Sequence, residues 1–189
     1  LITLGHYHNP HPLKGLTKLK DNVKEMAYLE KHQIADFLGH LSGDDLKVSL
    51  LCLATGARWG EAADLTREKV LKYKCTFTDT KNGRDRTVPI SESLYQQITE
   101  GKGRRLFPEV DYSLVRTLLK TLIPELPDGQ ATHVMRHTFA SHFMMNGGNI
   151  LTLQKILGHA TINQTMVYAH FAPDYLNDAV RLNPLADGL

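Results

Sequence analysis

The apolar residues of this chain keep one rhythm almost throughout and abandon it once. From Tyr73 to Thr78, Tyr73, Cys75 and Phe77 alternate with Lys74, Thr76 and Thr78. A period of two suits a half-buried strand and does not suit a helix. Asn82-Gly83 follows, and both residues tolerate positive φ, so the pair marks a tight hairpin turn. Thr87-Val88-Pro89-Ile90 reads as the returning strand, with Pro89 placing it at a sheet edge or near its end. On either side the apolar spacing becomes helical. Leu29, Ile34, Phe37, Leu38 and Leu41 predict a first helix, which Gly39 and Gly43 help to end. A second, capped by Asp44 or Asp45, carries Leu46, Val48, Leu50, Leu51 and Leu53 and stops at Gly56. Beyond the hairpin, Ser91 caps a helix through Leu94 and Ile98, and Ser113 begins one through Leu114, Leu118, Leu119 and Leu122. Thr132 caps a long helix to Asn146, and Asn149 starts a short one ended by Gly158. Ile162–Ala169 and a stretch through Leu176, Val180 and Leu182 read as two more. The expected fold class is mainly α with a small antiparallel β-hairpin or sheet, an α+β arrangement.

A chain of 189 residues with 42% apolar and 22% charged side chains can bury a proper core, which excludes general disorder. The longest apolar run, around Leu50–Ala54, falls far short of the roughly 20 residues that a membrane helix needs. The chain opens at Leu1 without a methionine or a signal-like segment, and is expected to be an excised cytoplasmic domain. Cys52 and Cys75 form no CxxC pair, so neither a disulfide framework nor a cysteine zinc site is expected. His6-x-His8-x-x-His11 has metal-like spacing, but it sits in a Pro-rich tail without a nearby carboxylate and is not read as a site. Net charge is only +2, yet residues 67–105 hold ten basic side chains against five acidic ones. A basic stretch on a near-neutral protein suits a polyanion.

Three clusters can carry chemistry. In Thr55-Gly56-Ala57-Arg58-Trp59-Gly60-Glu61, an arginine follows a helix stop, and Glu61 lies one turn later, where it can hold Arg58 or a histidine in place. Lys81 stands on the shoulder of the Asn82-Gly83 turn, able to reach into a groove. His133, Arg136 and His137 share a helix face, with Gly158-His159 further on and Tyr168 nine residues after His159. Two histidines four apart resemble half a zinc site, but Val134 occupies the place of the glutamate in His-Glu-x-x-His, so no metal site is read here. Arginines that grip non-bridging oxygens, histidines and a lysine that move protons, and a tyrosine nucleophile suit metal-free chemistry on a phosphodiester.

These motifs, in this order, resemble the catalytic domain of the tyrosine recombinases, and most closely that of the temperate-phage integrases: Thr55–Glu61, Thr80-Lys81-Asn82-Gly83, His133–His137, Leu157-Gly158-His159 and Tyr168. The resemblance implies site-specific recombination through a 3′-phosphotyrosyl link made by Tyr168, without ATP, metal or other cofactor. Arg58 and Arg136 would clamp the phosphate, with His159 as a further donor. Lys81 would be the general acid, and His133 would handle the nucleophile's proton. Glu61 would act as support, and His137 would pack or bond within its own helix. Lys72, Lys74, Arg84 and Arg86, in the basic stretch, are the expected DNA contacts. The resemblance also implies double-stranded DNA attachment sites, a dimer or tetramer on DNA, room for accessory DNA-bending proteins, and action in the cytoplasm of a bacterial host. Residues 1–24 would be a linker from a missing DNA-binding region, 25–170 the catalytic domain, and 171–189 a tail exchanged between protomers. A type IB topoisomerase-like enzyme shares the chemistry, and a catalytically silent DNA-binding module is the reading from another class.

Overall fold

A computed structural model describes residues 26–79, 84–127, 129–174 and 178–185. Lys81, the Asn82-Gly83 turn and the histidines of the N-terminal tail lie outside the described residues. The described residues begin with α1 (Lys31–Gly39), α2 (Gly43–Thr55) and the short α3 (Trp59–Ala63). A three-stranded sheet follows, β1 (Val70–Leu71), β2 (Lys74–Asp79) and β3 (Arg84–Pro89), in the order β1-β2-β3. Both pairings are antiparallel, with Cys75 opposite Val88 and Phe77 opposite Arg86. Then come α4 (Glu92–Thr99), α5 (Tyr112–Leu122), α6 (His133–Met145), α7 (Ile150–Leu157), α8 (Asn163–Met166), a 3-10 turn at Ala169–Phe171 and α9 (Asp178–Arg181). The helix-rich expectation with a small antiparallel sheet holds.

Local chemistry explains most boundaries. Ser91 accepts from the Leu94 amide, and Asn149 accepts from the amides of Leu151 and Thr152, each satisfying donors that a helix start leaves unpaired. Asp111, rather than Ser113, caps α5, because its carboxylate reaches the amides of both Ser113 and Leu114. Gly56 ends α2 with φ +66, and a Cβ there would lie 2.6 Å from the Phe139 ring, so both conformation and space require glycine. Tyr73 departs from the expected strand. It sits in the turn before β2 with φ +63, and its hydroxyl donates to Glu92 at 2.7 Å.

α2 packs along α6 at the centre of the molecule. Val48, Leu51, Cys52, Val134 and Met135 are buried in one cluster, which continues through Phe77 and Val88 of the sheet to Ile98, Val115 and Leu119. A smaller cluster holds Ala140, Met144, Leu153, Leu157 and Tyr168. Thr138 pins the entering chain to α6: its hydroxyl accepts from the Leu29 amide and donates to the Val134 carbonyl. Among the described residues, no helix is long and apolar enough to cross a membrane.

Candidate active site

Arg58 opens α3 and bonds locally. Its backbone amide donates to Glu61 Oε2 and its Nη1 to Glu61 Oε1, both at 2.8 Å. The same carboxylate meets Arg86 from β3, with Nη1 to Oε1 at 3.1 Å and Nη2 to Oε2 at 2.5 Å. Burial alone would raise the Glu61 carboxyl. The Arg86 hydrogen bonds, and then the Arg58 amide, outweigh burial and hold it below the usual carboxylate range.

Arg86 therefore corrects an expectation. It is only 8% exposed and serves Glu61, so it is not a free surface cation awaiting DNA. Strand alternation is the cause: Arg86 shares the inner face with Val88 and Ile90, whereas Asp85 and Thr87 face outward. Its place in phase with Val88 was the signal that could have found this. Lys72 and Lys74 are exposed, as a phosphate contact requires. Lys81 and the side chain of Arg84 lie outside the described residues.

α6 contributes three side chains at three depths. His133 is exposed at the helix start, His137 is half-buried one turn in, and Arg136 between them is buried. Arg136 donates from Nη1 to the Gly56 carbonyl and from Nη2 to the Leu157 carbonyl, both at 2.7 Å. Those carbonyls end α2 and α7, where a cation is favoured and acceptors lack partners within their helix. One guanidinium thus closes two helices. Burial, then the neighbouring Arg58 and Arg86, lower it to about 10, so it stays charged near neutrality.

His159 follows Gly158, the left-handed residue (φ +68) that ends α7. Its Nδ1 lies 2.9 Å from the Thr165 hydroxyl of α8, a partner that no sequence signal marked. Burial, then the charges of Arg136, Arg58 and Arg86, push its imidazole down to about 4. Burial, then His133 and Arg136, push His137 down to about 4 as well, and His133 is also lowered, by burial first and then Arg136 and Arg58. His137 and His159 are therefore neutral at pH 7.

Tyr168 is 2% exposed, with its ring in the smaller apolar cluster. Its hydroxyl lies 2.7 Å from His137 Nδ1. The sequence reading has His137 packing or bonding within its own helix; its ring nitrogen instead meets a residue 31 positions later, brought there by the packing of the turn after α8 against α6. Burial pushes the phenol up against the pull of Arg136. The thiols of Cys52 and Cys75 are buried and pushed up by burial, so neither competes as a nucleophile.

A cleft of about 730 Å³ opens on one flank, between Asp85 and Thr87 of β3 and Lys155 near the end of α7. Arg86 and His159 line it, whereas the buried Tyr168 does not. Among the described residues, no group of three or more His, Cys, Asp or Glu side chains is placed to hold a metal ion.

Comparison with known proteins bears on the fold and the family. Residues 27–174 match the phage integrase family. The chain is 52% identical over 188 residues to the integrase of Escherichia phage P2, an alignment that takes in 100% of this chain and 56% of that protein. It thus spans little more than half the length of such curated relatives. The solved catalytic domain of bacteriophage HP1 integrase matches with a TM-score of 0.80 and 48% identity, over 87% of this chain and 99% of that one. The XerH site-specific recombinase bound to palindromic difH substrate matches with a TM-score of 0.66 and 20% identity, over 90% of this chain and 57% of that one, a likeness of fold alone. With that family match over residues 27–174 and 52% identity along its whole length to a phage integrase, the chain belongs to the phage integrase family.

Proposed function

We propose that this chain is the strand-cleaving and rejoining unit of a site-specific DNA recombinase. One observation carries the reading: the Tyr168 hydroxyl meets His137 on the same helix that presents His133 and Arg136. Around them, Arg58 and Arg86 share a single carboxylate, Glu61, while Arg136 is held by backbone carbonyls alone, so the site keeps an excess of positive charge. Such an excess suits a phosphodiester.

In cleavage, the Tyr168 oxygen attacks phosphorus as the bond to the 5′-oxygen breaks. A 3′-phosphotyrosine and a free 5′-hydroxyl result. Arg58 and Arg136 stabilise the charge that builds on the non-bridging oxygens, and His159, held through Nδ1 by Thr165, offers its other ring nitrogen. Lys81 protonates the departing 5′-oxygen. The nucleophile's proton passes to neutral imidazole: His137 touches the hydroxyl in the resting state, and the exposed His133 faces incoming DNA. Attack by the 5′-hydroxyl on the phosphotyrosine reverses each step, so rejoining needs neither ATP nor a metal.

The catalytic unit comprises residues 25–170, with residues 1–24 as a linker from a DNA-gripping region and 171–189 as a tail exchanged between protomers. Lys72, Lys74 and Arg84 contact backbone phosphates of double-stranded attachment sites. The protein acts as a dimer or tetramer on DNA, inside the bacterial host, with accessory DNA-bending proteins assisting. The 52% identity to a phage integrase favours recombination over simple DNA relaxation.

Covalent capture tests the reading. The protein is incubated at low salt with a library of nicked duplexes whose cores are randomised, because phosphate contacts weaken steeply as salt rises. Denaturant-resistant protein–DNA adducts are expected, linked through Tyr168. The Tyr168→Phe variant should bind DNA as before and form none. An adduct that survives this substitution places the nucleophile elsewhere.

A further inference from the structure

We infer that Arg86 is a positioning residue for the cleavage step, acting through Glu61 to set the guanidinium of Arg58. The inference rests on the phosphate-clamp reading of Arg58 given above. Glu61 has two oxygens, and four donors share them: the Arg58 amide, Arg58 Nη1, Arg86 Nη1 and Arg86 Nη2. With the carboxylate held from the side of β3, its remaining directions are aimed at Arg58. A forked, planar guanidinium fixes the carboxylate in two dimensions, which an ammonium cannot do.

Arg86 is itself held on three sides. Its Nε donates to the Ile156 carbonyl near the end of α7 at 2.8 Å, and its guanidinium lies 5.0 Å from the centre of the Phe77 ring. Gly158 leaves the space that this packing needs, since a Cβ there would lie 3.0 Å from Arg86 Cδ. One side chain thus ties together β3, the helix that starts at Arg58, and the turn that carries His159. Arg86 touches no reacting atom in this arrangement. It sets the distance between Arg58 and His159, the two groups that the proposed mechanism places on the phosphate.

The test separates positioning from mere folding by changing the charge of the substrate. A duplex recovered by covalent capture is made with either a phosphodiester or a neutral methylphosphonate at the cleavage point. The methylphosphonate lacks the charge that Arg58 neutralises, so an error in placing Arg58 matters less on it. Arg86→Lys keeps the charge but loses the fork. It should slow adduct formation on the phosphodiester by about 100-fold at saturating DNA, as an ångström-scale misplacement does. DNA affinity should be unchanged and the loss on the methylphosphonate much smaller. Equal losses on both substrates, or no loss on either, overturn the proposal. Arg58→Ala serves as the reference. If its loss is equal on both substrates, the clamp reading itself fails and takes this proposal with it. If Arg58→Ala is rescued and Arg86→Lys is not, only the role of Arg86 falls. Should Arg86→Lys not fold, Glu61→Gln is judged by the same comparison and the same outcomes.

Discussion

His137 and His159 are both buried enough, and close enough to cations, to titrate near pH 4 in the folded protein. In the unfolded chain they bind protons from about pH 6.5 downward, the ordinary value for the side chain. Between those limits the unfolded state holds more protons, so stability rises with pH and is lost as pH falls from 6.5 toward 4. Glu61 acts in a lower window. Its folded carboxyl lies below 4.5, so its contribution persists until the pH falls below that value. Urea unfolding at pH 7, 6 and 5 should therefore show a declining midpoint, and His159→Gln should flatten the decline. A midpoint independent of pH across this range would mean that the imidazoles are not buried as neutral groups. At this scale the sequence was informative about identity and poor about contacts. His137 and Arg86 were visible as residues, but their partners, Tyr168 and Glu61, are 31 and 25 positions away.

The ends of α2 and α7 are built alike. Each stops at a glycine in the left-handed region, Gly56 and Gly158, and each offers a terminal carbonyl to Arg136. Helix termination and site assembly are therefore one event. Gly158→Ala should cost about 1–2 kcal/mol for the left-handed backbone, with a further penalty from the contact with Arg86. That lowers the melting temperature by about 2–4 °C per kcal/mol in a domain of this size, and adduct formation should fall with it because His159 follows directly. Gly39→Ala is the control: a Cβ there meets nothing within 4 Å, and the change should be neutral or slightly stabilising. If Gly158→Ala behaves like Gly39→Ala, the close packing around Arg86 is wrong. Several of these boundaries were legible from capping residues such as Ser91 and Asn149. The short α3 and the two-residue β1 were not, because neither is long enough to show a period.

At the scale of the whole molecule, the described residues after Tyr168 leave several apolar side chains uncovered. Phe171 packs edge-on against Tyr28, with ring centres 5.1 Å apart. Beyond it, Val180, Leu182 and Leu185 are 76%, 67% and 60% exposed. Apolar side chains presented together favour burial against a partner, which supports the proposed exchange between protomers. Truncation after Phe171 should then weaken self-association while leaving the thermal unfolding of the core intact, as sedimentation over a concentration range and a melting curve would show. A full chain that stays monomeric, or association unchanged by truncation, counts against the exchange.

The sequence by itself determined the helical class and the small sheet, and it named the residues proposed to perform chemistry on a phosphodiester. Those follow from period, capping and side-chain type, which are local properties. Only the tertiary structure decided what each charged group faces. Arg86 looked like a surface cation in a basic stretch until the pleat of β3 turned it inward onto Glu61, and nothing in the sequence said that Arg136 is held by the carbonyls that end α2 and α7. A buried charge must be paired, and its partner is set by which elements pack together rather than by which residues are neighbours in the chain.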